Sequence, residues 1–264
     1  MPLTEQQLTR YERNLLLPEL GEAGQEKLLS SRGLVVGAGG LGSPVAYYLA
    51  AAGVGKLGLV DNDRVELSNL QRQILHFTGD LGSLKVDSAA RKLRELNPDV
   101  HVVTYSSRLE EENIAALVSE YELIILCVDN FETRLLVNKI CIRLKKPLIE
   151  AGVLGWHGTM LTILPGRSAC YQCLFPEIPQ GIPPAGASGL LGVLPGVMGL
   201  LQATEAIKLL LGAGRLLTDR LLLYDALEMS FREVALKRNP HCPACGHLRK
   251  EEQADGKGRT ISNQ

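Results

Sequence analysis

The feature that most constrains the fold is a short apolar run that dissolves into glycines. Leu34-Val35-Val36 is followed by Gly37-Ala38-Gly39-Gly40-Leu41-Gly42, then by a helical stretch to Ala52, then by a second apolar run, Leu57 to Val60, ending in Asp61. G-x-G-x-x-G between a strand and a helix permits a tight turn, and backbone N–H groups at the helix N-terminus can approach phosphate oxygens. An acid at the end of the next strand is placed to accept hydrogen bonds from a ribose. A tight structural turn would use the same glycines, but here strand, helix and acid all stand in their places. No GxxxxGK[ST] is present, so ATP would occupy a Rossmann-type site and not a P-loop.

The same rhythm continues. Apolar runs at His101–Thr104, Leu123–Val128 and Leu148–Ile149 are separated by helical patterns at Lys85–Leu96, Glu111–Ser119 and Glu132–Leu144, and residues 4–30 read as helical. Strands alternating with helices predict an α/β fold with a Rossmann-like, doubly wound, mostly parallel sheet. After Glu150 the pattern changes to a strand at Thr159–Leu164, a Pro/Gly-rich loop at Pro176–Gly189 and a helix from about Pro195 to Leu211. Two further strands, Leu221–Tyr224 and Phe231–Leu236, are expected as antiparallel neighbours that extend the sheet. With no repeat and no linker, one domain is expected over 1–248, with a nucleotide-binding core at about 30–150 and a second portion at about 151–248. The stretch 249–264 is polar, contains Gly256 and Gly258, and is expected to be a disordered tail.

Two CxxC pairs, Cys170-Tyr171-Gln172-Cys173 and Cys242-Pro243-Ala244-Cys245, can together complete a tetrahedral four-thiolate zinc site. Four sulfurs leave no open coordination position, so such a zinc is structural. Two disulfides or four idle thiols are the alternatives. The absence of a secretory pattern and the small number of other cysteines favour zinc and a reducing, cytoplasmic setting. The net charge of -1 gives no footprint for nucleic acid, and the apolar stretch Leu190–Leu201 is interrupted by Gly192, Pro195, Gly196 and Gly199, short of a membrane span.

The glycine motif alone does not choose between NAD and ATP. Asp61-Asn62-Asp63, the block Leu67-Ser68-Asn69-Leu70-Gln71-Arg72-Gln73 and Lys85 bear on that choice. A triphosphate needs such donors, whereas a nicotinamide ring has no use for them. Asp129-Asn130 falls at the carboxyl end of the fourth strand, where ligands of these sheets bind and where one carboxylate can hold Mg2+. A solvated charged loop is the competing reading.

The sequence resembles the MoeB/ThiF/HesA group of the ubiquitin-activating-enzyme superfamily, which adenylylates sulfur-carrier proteins. The likeness runs from Arg10-Tyr11-Glu12-Arg13 through Val35–Pro44, Ala52-Gly53-Val54-Gly55, Asp61-x-Asp63 and Ser68–Gln73. It continues through Asn97-Pro98, Asp129-Asn130, Cys170–Pro176, Gln202–Lys208 and Arg238-Asn239-Pro240-x-Cys242-x-x-Cys245. It implies that ATP is a substrate and that the C-terminal Gly-Gly carboxylate of a small ubiquitin-like carrier (MoaD/ThiS-like) receives AMP as pyrophosphate leaves. The later portion of the chain would bind that carrier. The carriers so served belong to molybdopterin or thiamin biosynthesis or to tRNA thiolation.

Residue by residue, the resemblance implies that Gly37, Gly39, Gly40 and Gly42 cradle the nucleotide and that Asp61 binds ribose, with Asp63 near the reacting phosphates. Asn69, Arg72, Gln73 and Lys85 serve the phosphates, Asp129 holds Mg2+, and Asn130 shapes the site. Arg13 would reach a partner's ATP across a homodimer. Relatives often carry a cysteine four residues before a Gly-x-Leu-Gly stretch; here that position is Ala185. A covalent sulfur or acyl adduct is therefore not expected at that point: either the reaction stops at the acyl-adenylate, with a separate sulfur donor such as a cysteine desulfurase or rhodanese, or alanine has replaced a cysteine to block a covalent step.

His76, His101 and His157 form no nucleophile–base constellation, Trp156 is expected to pack, and Cys127 and Cys141 are expected to be buried and inert. Two other functions compete: an NAD-dependent oxidoreductase, and a non-catalytic zinc-stapled dimer partner.

Overall fold

In a computed structural model, which describes residues 2–178 and 188–248, the apolar runs form one eight-stranded sheet. The strands are β1 (Arg32–Val36), β2 (Lys56–Val60), β3 (His101–Tyr105), β4 (Leu123–Leu126), β5 (Leu148–Leu154), β6 (His157–Ile163), β7 (Arg220–Asp225) and β8 (Ser230–Ala235). Their spatial order is β3-β2-β1-β4-β5-β6-β7-β8. The first five are parallel, and β6, β7 and β8 each run antiparallel to the strand before. The longer helices are α3 (Gly21–Ser30), α4 (Gly42–Ala51), α5 (Lys85–Leu96), α6 (Glu111–Ser119), α7 (Phe131–Arg143) and α9 (Val193–Leu211); α1 (Glu5–Arg10), α2 (Glu12–Leu15) and α8 (Tyr171–Leu174) are short.

The parallel strands are apolar on both faces because helices cover both faces. Alternate residues divide between two cores. Val35, Leu57, Leu59, Ile125, Ile149 and Met160 join Val45, Leu49, Val86, Leu93, Leu194 and Met198 of α4, α5 and α9. Leu34, Val36, Val60, Ile124, Leu126 and Leu161 join Ile114, Val118, Val137 and Ile140 of α6 and α7, and this second core closes on Cys170, Cys242 and Cys245.

Several expectations are corrected. The N-terminal helical stretch breaks into three helices: Pro18 cannot sit inside a helix, and Gly21 takes a positive φ of 54°. β5 runs on to Leu154 because it folds back on β6 as a hairpin. Trp156 stands at that hairpin's tip and is 43% exposed, not packed. The interrupting glycines do not stop α9, which by length and composition alone could span a membrane. At Gly199 a Cβ would lie 2.5 Å from the Leu41 carbonyl oxygen, so the glycine there admits the β1–α4 turn, and Gln202 and Glu205 of the same helix are buried and hydrogen-bonded. Those contacts make α9 a core helix. Cys127 and Cys141 are buried as expected, and burial pushes both thiols well up from their ordinary range. Ala185 and the tail 249–264 lie outside the described residues.

Candidate nucleotide site and four-cysteine cluster

From β1 the chain moves outward through β2 to β3, whereas β4 and β5 lie on the other side of β1. The order therefore reverses between β1 and β4, and ligands of open α/β sheets bind outside the strands' carboxyl ends at such a point. Four segments emerge at this edge: the β1–α4 turn, residues 61–63 after β2, the start of α5, and residues 127–130 after β4.

The turn itself is shaped by its glycines. Gly37 has φ 98°, and a Cβ there would meet the Cys127 carbonyl oxygen at 2.6 Å; at Gly42 it would meet the Gly37 carbonyl oxygen at 1.9 Å. Those two residues bring strand, turn and helix together. At Gly39 the nearest atom is Gln73 Nε2 at 3.5 Å, an ordinary contact, so the missing side chain there serves no approach within the protein. Gln73 is 5% exposed, and among the described residues its Oε1 has no hydrogen-bond partner. An open cradle beside an orphaned buried oxygen fits a polar ligand over Gly39.

Asp61 braces this turn. Its Oδ2 accepts from the Ala38 amide at 2.8 Å and its Oδ1 from the Asp63 amide at 2.9 Å, and each oxygen retains acceptor capacity for a ribose hydroxyl. Lys85, 5% exposed at the start of α5, reaches Asp63 Oδ2 at 2.7 Å. Asn69 is buried, its Oδ1 accepting from the Glu66 amide at 3.1 Å. Arg72 donates to the Ser68 carbonyl at 3.0 Å, and its stem lies 3.5 Å from where a Gly40 Cβ would be. Asp129 is exposed at the carboxyl edge, and Asn130 caps α7 by accepting from the Thr133 amide at 2.9 Å. All the expected nucleotide residues thus gather at one edge.

Arg13 stands apart from them. Its neighbour Tyr11 is buried at the far end of α4, where Asn97 Nδ2 donates both to Tyr11 Oη at 2.9 Å and to the Ala50 carbonyl at 2.7 Å. Gln25 Nε2 donates to the Ala52 carbonyl, and Asn14 to Gln25. The nucleotide turn is at the other end of this 10-residue helix, about 15 Å away along its axis.

The four cysteines converge on the opposite face. Their sulfurs lie within 4.8 Å of one another, with Cys170–Cys173 at 3.9 Å, Cys170–Cys242 at 3.6 Å and Cys173–Cys245 at 3.5 Å. A tetrahedral zinc with Zn–S bonds of about 2.3 Å requires sulfurs about 3.8 Å apart, so the cluster fits that ion. Asn138 Nδ2 and the Asn239 amide point at Cys170 and Cys173, at 3.8 and 3.4 Å. All six cysteines are unpaired.

Sequence reading missed the groups behind the site. Arg134 of α7 forms a buried ion pair with Glu150 of β5 and donates to the Val128 carbonyl at 2.8 Å, next to Asp129. Burial pushes the Glu150 carboxyl up, and Arg134 opposes that shift. A lone acid in the apolar run Leu148-Ile149-Glu150 was the available signal. Gln202 of α9 donates to the Leu126 carbonyl at 2.9 Å, fixing the end of β4.

Comparison with known proteins decides the family: residues 11–244 match the ThiF family. The chain belongs to the ThiF family. It is 47% identical over 248 residues to the SAMP-activating enzyme E1 of Haloferax volcanii, covering 93% of this chain and 92% of that one. It is 46% identical over 253 residues to the sulfur carrier protein adenylyltransferase of Thermus thermophilus, covering 93% of each. Against the adenylyltransferase and sulfurtransferase MOCS3 of Sus scrofa it is 45% identical and spans 54% of that longer protein. Among solved structures it is similar to E. coli MccB with ATP, at TM-score 0.78 and 26% identity over 90% of this chain and 74% of that one. MccB with AMPCPP and MccA gives TM-score 0.79 and 27% identity over the same shares.

Proposed function

We propose that this ThiF-family chain is an ATP- and Mg2+-dependent adenylyltransferase acting on the C-terminal Gly-Gly carboxylate of a ubiquitin-like sulfur-carrier protein. One observation carries the reading: Lys85 is buried and ion-paired with Asp63 beside the open Gly39 cradle. A cation held there serves phosphates, not a nicotinamide ring. That argues against the oxidoreductase, and the intact set Arg72, Lys85 and Asp129 argues against a non-catalytic partner. The names of the two relatives at 46 and 47% identity support the same class.

In this reading a carboxylate oxygen of the carrier attacks the α-phosphorus, the α–β phosphate bond breaks, and pyrophosphate leaves. Asp61 binds the ribose, and Gly37, Gly39, Gly40 and Gly42 form the cradle. Asn69, Arg72, Gln73 and Lys85 meet the negative charge that develops on the phosphates. Asp129 holds Mg2+, which supplies further positive charge to the phosphates when bound, and Asn130 fixes the loop that carries it. The zinc ties Cys242 and Cys245 to the middle of the chain, within a single unit over 1–248 whose later portion, about 151–248, receives the carrier. Because residue 185 is alanine, the acyl-adenylate passes to a separate sulfur donor, such as a cysteine desulfurase or rhodanese. Six unpaired cysteines suit a reducing cytoplasm.

Carrier-dependent ATP–pyrophosphate exchange tests the class. Asp129→Ala is expected to lower exchange by about a hundredfold or more with the fold intact, since the side chain is exposed and its role is electrostatic. Near wild-type exchange in that variant would remove Asp129 from the metal site.

The position of Arg13 beyond the far end of α4 supports its acting in a homodimer partner's site. Arg13→Ala and Asp129→Ala chains should each be impaired alone, while mixed dimers recover one working site, in which an intact Asp129 faces an intact Arg13 from the other chain. Verified heterodimers without recovery would assign Arg13 elsewhere.

A further inference from the structure

The peptide groups on both sides of Ala38 are held from the protein interior. Its amide donates to Asp61, and its carbonyl oxygen lies 2.9 Å from His76 Nε2. A carbonyl can only accept, so His76 Nε2 carries the proton. In the neutral ring His76 Nδ1 then accepts, and Ser88 Oγ, 2.9 Å away, supplies the hydrogen. Ser88 Oγ in turn accepts from Lys92 Nζ at 2.8 Å, and Lys92 is ion-paired with Asp80. Asp80 also accepts from the Phe77 amide and from Arg91, both at 2.7 Å. His76, Ser88, Lys92 and Asp80 are only 3–6% exposed.

This chain of donors leaves His76 one tautomer. Burial lowers the pKa of the ring, the Ala38 carbonyl opposes that, the charges of Lys92 and Lys85 lower it further and the charge of Asp80 opposes them; the net direction favours the neutral ring. Asp80 is held down to about 2: burial works against this most strongly, and the hydrogen bonds from Lys92 and the Phe77 amide, with the charge of Lys92, together outweigh it.

A trans peptide points its C=O and N–H in opposite directions. With the Ala38 carbonyl drawn inward to His76, the Gly39 N–H of the same peptide plane faces outward, over the cradle. We propose that His76 is a positioning residue that aims the Gly39 N–H at a nucleotide phosphate, with Ser88, Lys92 and Asp80 fixing the tautomer it needs. The inference rests on the adenylation reading and adds to it a buried relay, running from His76 and Asp80 to Ser88 and Lys92 of α5, that touches no ligand.

The test is titration of the full-length zinc-loaded protein with ATP and Mg2+, alongside 15N NMR of the histidine rings in the free protein. His76→Leu keeps bulk but removes the donor, and is expected to weaken ATP binding roughly tenfold to a hundredfold. His76→Gln sets an amide N–H near the place of Nε2 and should restore ATP affinity to within about threefold. Ser88→Ala should give a mixture of ring tautomers and a loss of a few fold. Carrier affinity without ATP should not move in any variant, which a general loss of structure would not allow. Wild-type ATP affinity in folded His76→Leu, equal losses in the Gln and Leu variants, or an Nδ1–H ring in the wild type would each overturn the proposal. A wild-type chain that binds no ATP would instead overturn the adenylation reading beneath it.

Discussion

Cys245→Ser, or stripping the metal with a chelator, is expected to cost several kcal/mol of stability and to lower Tm by about 10 °C or more, while activity per folded molecule changes far less. The purified chain should carry about one zinc. Cys170 and Cys245 are 0% exposed and Cys242 is 4% exposed, and all three close the core beneath α6 and α7. Without the ion, polarisable sulfurs suited to thiolate ligation would be left facing one another in an apolar setting. The Cys173 thiol is already drawn well below its ordinary range, first by the hydrogen bond from Cys170 and then by the Asn239 amide. The two CxxC pairs are 72 residues apart, so losing the ion also releases the C-terminal segment from α8. Catalysis is affected less because four sulfurs leave zinc no position for substrate. Metal analysis finding no zinc with a Cys170–Cys173 disulfide, or an unchanged melting curve after chelation, would contradict this.

Most of the frame was legible because it rests on local signals. The G-x-G-x-x-G turn has a steric reason at Gly42 that acts within one β-α unit, and the parallel β-strands announced themselves as apolar runs. The two CxxC pairs needed only the assumption that the chain brings them together. What was not legible depends on contacts between distant segments. His76 looked like a lone histidine because its partners, Ala38 and Ser88, sit 38 and 12 residues away. Gln202 meets the Leu126 carbonyl across 76 residues. Trp156 was misjudged because aromatic residues usually pack, and nothing local says that a hairpin carries this one past the edge of its neighbours.

The second large effect is expected at Glu150. Replacing it with alanine leaves the Arg134 guanidinium, 8% exposed, without its counter-ion, and should cost about 3–5 kcal/mol. Sequence gives little warning, since Arg134 reads as one more charge on a helix. In the fold, however, Gly152 admits it: a Cβ there would lie 2.9 Å from Arg134 Nη1. The ion pair joins α7 to β5, and through the Val128 carbonyl Arg134 also holds the loop that presents Asp129. Glu150→Ala should therefore depress pyrophosphate exchange in the molecules that remain folded, chiefly through poorer use of Mg2+, so that raising Mg2+ recovers part of it. The double variant Arg134→Met/Glu150→Leu removes both charges and fills the space with apolar atoms. It should be more stable than Glu150→Ala alone, because the cost lies in the unpaired buried cation and not in losing the pair. Denaturant melts of Glu150→Ala, of the component singles Arg134→Met and Glu150→Leu, and of the double decide this. If the double falls by the sum of the singles, the two residues do not act as a pair. If Glu150→Ala melts like the wild type, the guanidinium has found another partner or reached water.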